Sequence, residues 1–439
     1  MKILKFGGTS VGSPERIRSV GELVTSDAER KIVVLSAMAK TTNSLIEISV
    51  SLYSGDREEA NRLIDRLHRL YRGHVDGLHD DPQWRQTTRV AIDSQFDYLR
   101  SFTKDVFTPH EERAVVAQGE LLSTRIFVNL LRERGVNVAM LPALDFMRID
   151  ANGEPDAEFI RRRLAESIEK AGMADIYVTQ GFICRNSYGE VDNLKRGGSD
   201  YTASLIGAAA DADEIQIWTD IDGMHNNDPR VVDGTRPVRA LHFDEAAELA
   251  YFGAKILHPT CIHPAKAANI PVRLLNTMQP DAPGTLITNK TVEREIKAVA
   301  AKDGITAIRI KSSRMLLAYG FLRKVFEIFE SYNTAIDMIC TSEVGVSVTI
   351  DDTTHLQAIT DDLRQYGTVS VDRDMCIICV VGNMDWTKTG FEAAALDAMR
   401  QIPTRMISFG GSDYNISFLI RAEDKAEALV SLSKHLFNN

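Results

Sequence analysis

Ile3-Leu4-Lys5-Phe6-Gly7-Gly8-Thr9-Ser10 joins a short apolar run to a turn of glycine and small polar residues. The run reads as a strand buried on both faces. Gly7 and Gly8 let the backbone approach a ligand closely, and successive N–H groups at such a turn favour an anion. Lys5, at the strand's end, adds a full positive charge where a phosphoryl group would move. The turn does not fit the dinucleotide pattern G-x-G-x-x-G, and no G-x-x-x-x-G-K-[ST] phosphate loop occurs in the chain.

The same construction recurs twice. Leu35-Ser36-Ala37-Met38-Ala39-Lys40-Thr41-Thr42-Asn43 again leads from an apolar run into small polar residues. Lys195-Arg196-Gly197-Gly198-Ser199-Asp200-Tyr201-Thr202 opens an alanine-rich helix. Ser199 and Asp200 suit a helix cap, while Arg196 offers a two-pronged donor to a carboxylate. Strand patterns at Ile3–Phe6, Ile32–Leu35, Val138–Leu141, Ile176–Thr179, Ile215–Thr219 and Val272–Leu275 alternate with helix-length stretches such as Pro14–Ser26 and Ser199–Ala210. That alternation predicts an α/β fold on a mainly parallel sheet, with helices on both faces. Residues 55–110 interrupt it. Leu63, Ile64, Leu67, Leu70 and Tyr71 trace one face of an amphipathic helix, and a second helix is expected around Trp84–Phe102.

A turn-rich stretch at 276–303 marks a boundary. Beyond it the pattern is strand, helix, strand, strand, helix, strand. Ile305–Ile310, Phe321–Tyr332 and Val344–Ile350 form one set; Met375–Val381, Phe391–Ile402 and Ile416–Ile420 form another. They read as two copies of one small α+β unit, each marginal alone, so pairing is expected.

Composition restricts the function. The chain has 439 residues, 44% of them hydrophobic and 26% charged, with 51 basic against 61 acidic side chains. A net charge of −10 argues against general binding to nucleic acid or anionic membranes. No apolar run reads as a membrane span or secretory signal, and five cysteines form no disulfide framework. The cytoplasm is expected. Cys376 and Cys379 have C-x-x-C spacing but lie in a β-type apolar run, so they read as core; His258, Cys261 and His263 lack the acidic company of a zinc site.

Together the loops resemble the aspartate kinases of the amino-acid kinase family. The resemblance rests on Lys5-Phe6-Gly7-Gly8-Thr9-Ser10, Gln118-Gly119-Glu120 and Arg196-Gly197-Gly198-Ser199-Asp200. It extends through Trp218-Thr219-Asp220-Ile221-Asp222-Gly223, Asp228-Pro229-Arg230 and Tyr251-Phe252-Gly253-Ala254-Lys255-Ile256-Leu257-His258-Pro259 to the C-terminal repeats, which look like ferredoxin-like ACT domains. The resemblance implies a catalytic domain over 1–298 and a regulatory region over 299–439. Its two ACT domains are expected at about 303–373 and 374–439, with interleaving left open. It implies that ATP phosphorylates the side-chain carboxylate of L-aspartate, the first step towards lysine, threonine and methionine, with Mg²⁺ on the nucleotide. No fused homoserine dehydrogenase is expected, and a homodimer through the ACT domains is expected.

The implied roles run as follows. Lys5, Asp200 and Lys255 would be catalytic. Ser36, Thr42, Glu120, Phe182, Arg196 and Ser199 would hold aspartate, with Arg196 on its α-carboxylate and Glu120 on its α-ammonium. Lys5, Gly7, Gly8, Ser10, Thr219, Asp220, His225, Arg230 and Lys255 would face the nucleotide; His225 stands where relatives often carry tyrosine. No dense acidic cage for a metal is evident. Each residue also has a structural alternative: Glu120 as a charge at a helix start, Asp220 and Asp222 as turn residues, Lys255 as a solvated lysine, Phe182 as core.

Met315, Phe321, Asp337 and Thr341 match the effector site of lysine-sensitive relatives. Leu317-Ala318 stand where those relatives often have His-Ser, which removes polar contacts and predicts a weak lysine response or another amino-acid effector. A purely dimerising module is the other reading. Rival activities are kinases of glutamate, N-acetylglutamate or a nucleotide, and a silent amino-acid sensor.

Overall fold

The computed structural model describes residues 1–194, 197–253, 257–290, 296–312 and 319–437. They form two compact units, Met1–Met224 with Ile256–Lys290, and His225–Lys255 with Thr291–Asn439.

The strands of the N-terminal part are β1 (Lys2–Phe6), β2 (Lys31–Leu35), β3 (Val138–Leu141), β4 (Ile176–Gln180), β5 (Ile183–Arg185), β6 (Val191–Asn193), β7 (Glu214–Thr219), β8 (Ala240–His242), β9 (Val272–Asn276) and β10 (Thr285–Thr288). β8 lies in the second unit's segment. In the first unit the order is β3-β4-β2-β1-β7-β9-β10. All neighbours are parallel except β9 and β10. Side chains alternate across β1. Leu4 and Phe6 share a core with helices Pro14–Val24 and Gln118–Glu133. On the other face, helix Gly198–Ala209 packs so closely that a Cβ at Gly207 would meet Ile215 Cδ1 at 2.5 Å and Ile3 Cγ1 at 3.8 Å. Both faces are therefore covered, as the continuous apolar runs require.

The helical insertion is present as Arg57–Leu78 and Pro82–Ser101, capped by Asp56 and Asp81. Leu63, Ile64, Leu67 and Tyr71 are buried, but Leu70 is 51% exposed. Val75 and Leu78 complete the buried arc, and Leu70 lies about 80° from its centre at 3.6 residues per turn. Against expectation, one stretch among the described residues has the length and apolarity of a membrane span: Pro109–Glu133. Yet 89% of its apolar window is buried, as in a core helix.

The second unit holds a six-stranded sheet ordered β12-β13-β11-β14-β16-β15. These strands are β11 (Ile296–Lys311), β12 (Ile339–Ser342), β13 (Gly345–Ile350), β14 (Thr368–Gly382), β15 (Thr404–Ser408) and β16 (Asn415–Arg421). β11 and β14 are far longer than the sequence runs suggested because each serves both repeats. The C-terminal half of β11 shares a core with helices Phe321–Ser331 and Leu356–Leu363. Its N-terminal half contributes Val299 to the core of helices Phe391–Ala398 and Lys425–Leu436. The repeats are thus interleaved, and the β11–β14 register shifts at the crossing between Lys302 and Ala307, where Gly304 has φ +76°. Cys376 and Cys379 are buried in β14.

Candidate active site

β1 is flanked by β2 and β7, so the chain order reverses beside it. Open α/β sheets bind ligands at such a point, outside the C-terminal strand ends. Phe6 is level with Leu35 and Trp218, which brings the loops after all three strands together. Gly7 N–H donates to Trp218 O, Ser36 N–H to Phe6 O, and Ala39 N–H to Gly8 O. A Cβ on Gly8 would lie 2.7 Å from Ala37 O, so glycine is required for the first two loops to touch.

Lys5 points to the face of helix Gly198–Ala209, whose first turn carries Asp200. The Lys5 ammonium meets Asp200 Oδ1 at 2.6 Å, both side chains being largely buried. A Cβ on Gly7 would be 3.5 Å from Lys5 Nζ, so the ammonium lies beside the glycine loop. The third loop is compressed. A Cβ on Gly181 would meet Ser199 Oγ at 2.6 Å, and one on Gly198 would meet Phe182 Cδ2 at 2.4 Å. Phe182 itself has φ +68°, and its N–H donates to Thr202 Oγ1 at 2.9 Å. A non-glycine residue in that region is held there by its surroundings.

Glu120 lies in the first turn of helix Gln118–Glu133 and is only 4% exposed. Its Oε1 accepts from Ala37 N–H at 3.1 Å. Its Oε2 has no hydrogen-bond partner among the described residues. Burial raises its pKa to about 8, although the Ala37 bond opposes the shift. Such a carboxyl is prepared to receive a cation. Ser36 is held from behind, its carbonyl accepting from Ser123 Oγ at 2.8 Å. Thr42 is half-buried in the first turn of helix Thr41–Tyr53, which follows Lys40 at φ +67°.

Ser10 is buried, with its hydroxyl 2.8 Å from Thr277 Oγ1. Thr277 N–H donates to Thr219 O, so Ser10 braces the β7 and β9 ends from beneath the loop. Thr219 Oγ1 donates to the exposed Asp220 carboxylate at 3.2 Å. The structure therefore gathers Lys5, Gly7, Gly8, Ser36, Glu120, Phe182, Ser199, Asp200 and Thr219 in the first unit around three adjoining loops. His225 and Arg230 belong to the second unit, where His225 Nδ1 is 3.0 Å from Thr235 Oγ1 and Arg230 forks onto Asp228. Arg196, Lys255 and Met315 lie outside the described residues, as do Leu317 and Ala318.

Of the expected effector residues, Phe321, Asp337 and Thr341 are described. Phe321 is in the hydrophobic core. Asp337, 2% exposed at its side chain, meets Lys302 Nζ at 2.6 Å and accepts from Tyr251 OH at 2.8 Å. Lys302 also meets Asp351 at 2.9 Å and lies 4.4 Å from the Tyr251 ring centre. Thr341 is exposed on the edge strand β12. Sequence reading missed Ser123, Thr202, Thr277 and Tyr71, whose hydroxyl is 2.9 Å from Thr41 Oγ1. They are single polar residues in apolar or helical surroundings, without a spacing that marks them.

A family model described as the amino acid kinase family matches residues 1–276, and one for the ACT domain matches 378–436. The chain is 33% identical to lysine-sensitive aspartokinase 3 of Escherichia coli K12, with 99% of each covered. It is also 33% identical to chloroplastic aspartokinase 1 of Arabidopsis thaliana, covering all of this chain and 80% of the relative. Among solved structures, E. coli aspartokinase III with aspartate and ADP in the R-state superposes with a TM-score of 0.86 at 32% identity, each chain fully covered. The same enzyme with lysine and aspartate in the T-state gives 0.80, covering 100% of this chain and 99% of the other.

Proposed function

The chain belongs to the amino acid kinase family and, within it, to the aspartokinases, and from that membership we propose how its residues transfer the γ-phosphoryl of ATP to the side-chain carboxylate of L-aspartate. The activity is aspartate kinase, with ACT-domain regulation. The nucleophile is a carboxylate already ionised at neutral pH, so no base is needed. The obstacle is repulsion between that carboxylate and the triphosphate, together with charge that spreads during transfer.

Lys5 opposes both effects, and Asp200 fixes its ammonium beside Gly7 of the glycine loop. Glu120 takes the substrate's α-ammonium, which suits a buried carboxyl with a free oxygen. Ser36, Thr42, Phe182 and Ser199 shape the aspartate side of the pocket. Arg196 is assigned the α-carboxylate, and Thr219, Asp220, His225, Arg230 and Lys255 the nucleotide side. Mg²⁺ bound with the nucleotide would supply further neutralisation, and Asp200 and Asp220 would be the carboxylates to meet it through water. We assign residues 1–298 to catalysis and 299–439 to regulation, and place a homodimer in the cytoplasm, in keeping with five free cysteines.

The observation that carries the reading is the pairing at adjacent strand ends: a lysine ammonium at the end of β1 and a buried carboxyl bonded to the loop after β2. A panel of L-aspartate, L-glutamate and N-acetylglutamate, with hydroxylamine trapping the acyl phosphate, tests it. Aspartate should dominate; faster turnover of glutamate would overturn the assignment.

For the effector we infer a weakened lysine response. The Leu317-Ala318 departure supports it, and Oδ1 of Asp337, the residue suited to an effector ammonium, is already engaged by Lys302 and Tyr251, while its buried Oδ2 has no hydrogen-bond partner among the described residues. Calorimetric titration with lysine, threonine and methionine tests this; tight lysine binding would refute it.

A further inference from the structure

Among the described residues, β5 and β6 form a two-stranded sheet of their own. The base of this hairpin belongs to the amino-acid pocket. Phe182 precedes β5, Leu194 follows β6, and Leu194 N–H donates to Phe182 O at 2.9 Å. A two-stranded hairpin is marginal by itself, so its neighbours decide where that base stands. On the β5 side the hold is main chain: Arg185 N–H donates to Met147 O at 2.9 Å, and Ile149 N–H to Arg185 O at 2.8 Å.

On the β6 side the hold comes from side chains of helix Pro109–Val116. Arg113 Nη1 donates to Asp192 Oδ2 at 3.0 Å, the Asp192 side chain being only 15% exposed. The other oxygen of Asp192 accepts from Asn193 N–H at 2.8 Å, so the carboxylate grips the hairpin's own backbone as well as the helix. One turn earlier His110 Nδ1 comes within 3.7 Å of Glu190, but both of those side chains are about half exposed. The Arg113 pair is therefore the better shielded of the two, and the less screened by salt.

Arg113 also has a fixed relation to Glu120. Ala117 N–H donates to Arg113 O and Leu121 N–H to Ala117 O, so helix Pro109–Val116 runs on into helix Gln118–Glu133. Seven residues return almost to the same face at 3.6 residues per turn, about 10 Å along the axis. Arg113 and Glu120 thus stand on one side of one rod. The first meets the hairpin and the second meets the loop after β2.

We propose that Arg113 and Asp192 are positioning residues for aspartate: their pair ties the hairpin that follows Phe182 to the helix that carries Glu120, and so fixes the separation of two walls of the pocket. The proposal rests on the assignment of Glu120 and Phe182 to the aspartate side. The Lys5–Asp200 contact does not involve this pair, so the transfer step itself is spared.

Steady-state kinetics of Arg113→Met, Asp192→Asn and the double variant test it. Asparagine keeps an acceptor for Asn193 N–H, so the hairpin retains its own bond where the arginine change might unsettle the fold. Each single change should raise KM for aspartate about threefold to thirtyfold, with kcat and KM for ATP within about twofold of the parent. The double variant should raise KM no further than either single one, and Arg113→Lys should recover part of the loss. An unchanged KM in Asp192→Asn, or additive effects in the double variant, would overturn the proposal. So would a fall in kcat without a rise in KM. Glu120→Gln separates the two claims. If it raises KM while these variants do not, the Arg113 pair alone is overturned; if it leaves KM unchanged, the assignment of the pocket falls and the proposal with it.

Discussion

Glu120→Gln should separate a cost in stability from a gain in binding. The Glu120 carboxyl is nearly sealed from water, accepts one backbone N–H and leaves its second oxygen without a partner among the described residues. Burial lifts its pKa from 4.5 to about 8. Between those two values the folded protein holds a proton that the unfolded chain has released. Stability therefore falls as pH rises from 4.5 and levels off above 8. The whole loss is at most about 5 kcal/mol, with water penetration reducing it. Glutamine fills the same space without the ionisation. The variant should gain stability over the parent as pH is raised from 5 to 8, measured by urea unfolding at three pH values. The same change removes the charge offered to the substrate ammonium. A charge-assisted hydrogen bond contributes about 1.5–3 kcal/mol, so KM for aspartate should rise by roughly 10–150-fold. A stability difference that does not vary with pH would refute burial as the source of the raised pKa. An unchanged KM would remove Glu120 from the aspartate pocket.

Gly8→Ala drives a Cβ to within 2.7 Å of the Ala37 carbonyl, a backbone atom with no room to swing away. Forcing the first two loops apart should lower kcat at least about tenfold and cost about 1–3 kcal/mol, read by steady-state kinetics and thermal unfolding. Gly73→Ala is the contrasting case. Gly73 is interior to helix Arg57–Leu78 and a Cβ there meets nothing within 4 Å, so the variant should gain about 0.5–1 kcal/mol with activity unchanged. Lys302→Met leaves the buried Asp337 carboxylate without its cation and should cost about 3 kcal/mol at neutral pH. Adding Asp337→Asn should restore most of that, as denaturant midpoints will show.

The alternation of apolar runs and helices was enough to place the parallel sheet, because strands buried on both faces carry no competing pattern. The glycine loops were legible for a related reason: Gly8, Gly181 and Gly198 stand where any side chain would collide with a neighbouring loop. Leu70 was misplaced because an i, i+7 spacing drifts off a helical face that is centred between Leu67 and Tyr71. The lengths of β11 and β14 were hidden because each strand changes core partway along, so no single apolar period runs through it. Asp337 suited an ammonium in the sequence, and the structure supplies one from Lys302, 35 residues away along the chain. The contact of the Ser10 hydroxyl with Thr277, at a strand end 267 residues distant, was equally hidden. Pairings of that reach leave no local spacing to read.

The account rests on the ammonium at the end of the first strand stabilising the charge that moves from nucleotide to amino acid. Steady-state turnover of Lys5→Met at saturating aspartate and ATP tests it directly. Circular dichroism should show the fold intact, and calorimetry should show that aspartate still binds. The expected result is a fall in kcat of about a hundredfold to a thousandfold, the range of losing one preorganised electrostatic group. A folded variant that turns over at the parent's rate would contradict it.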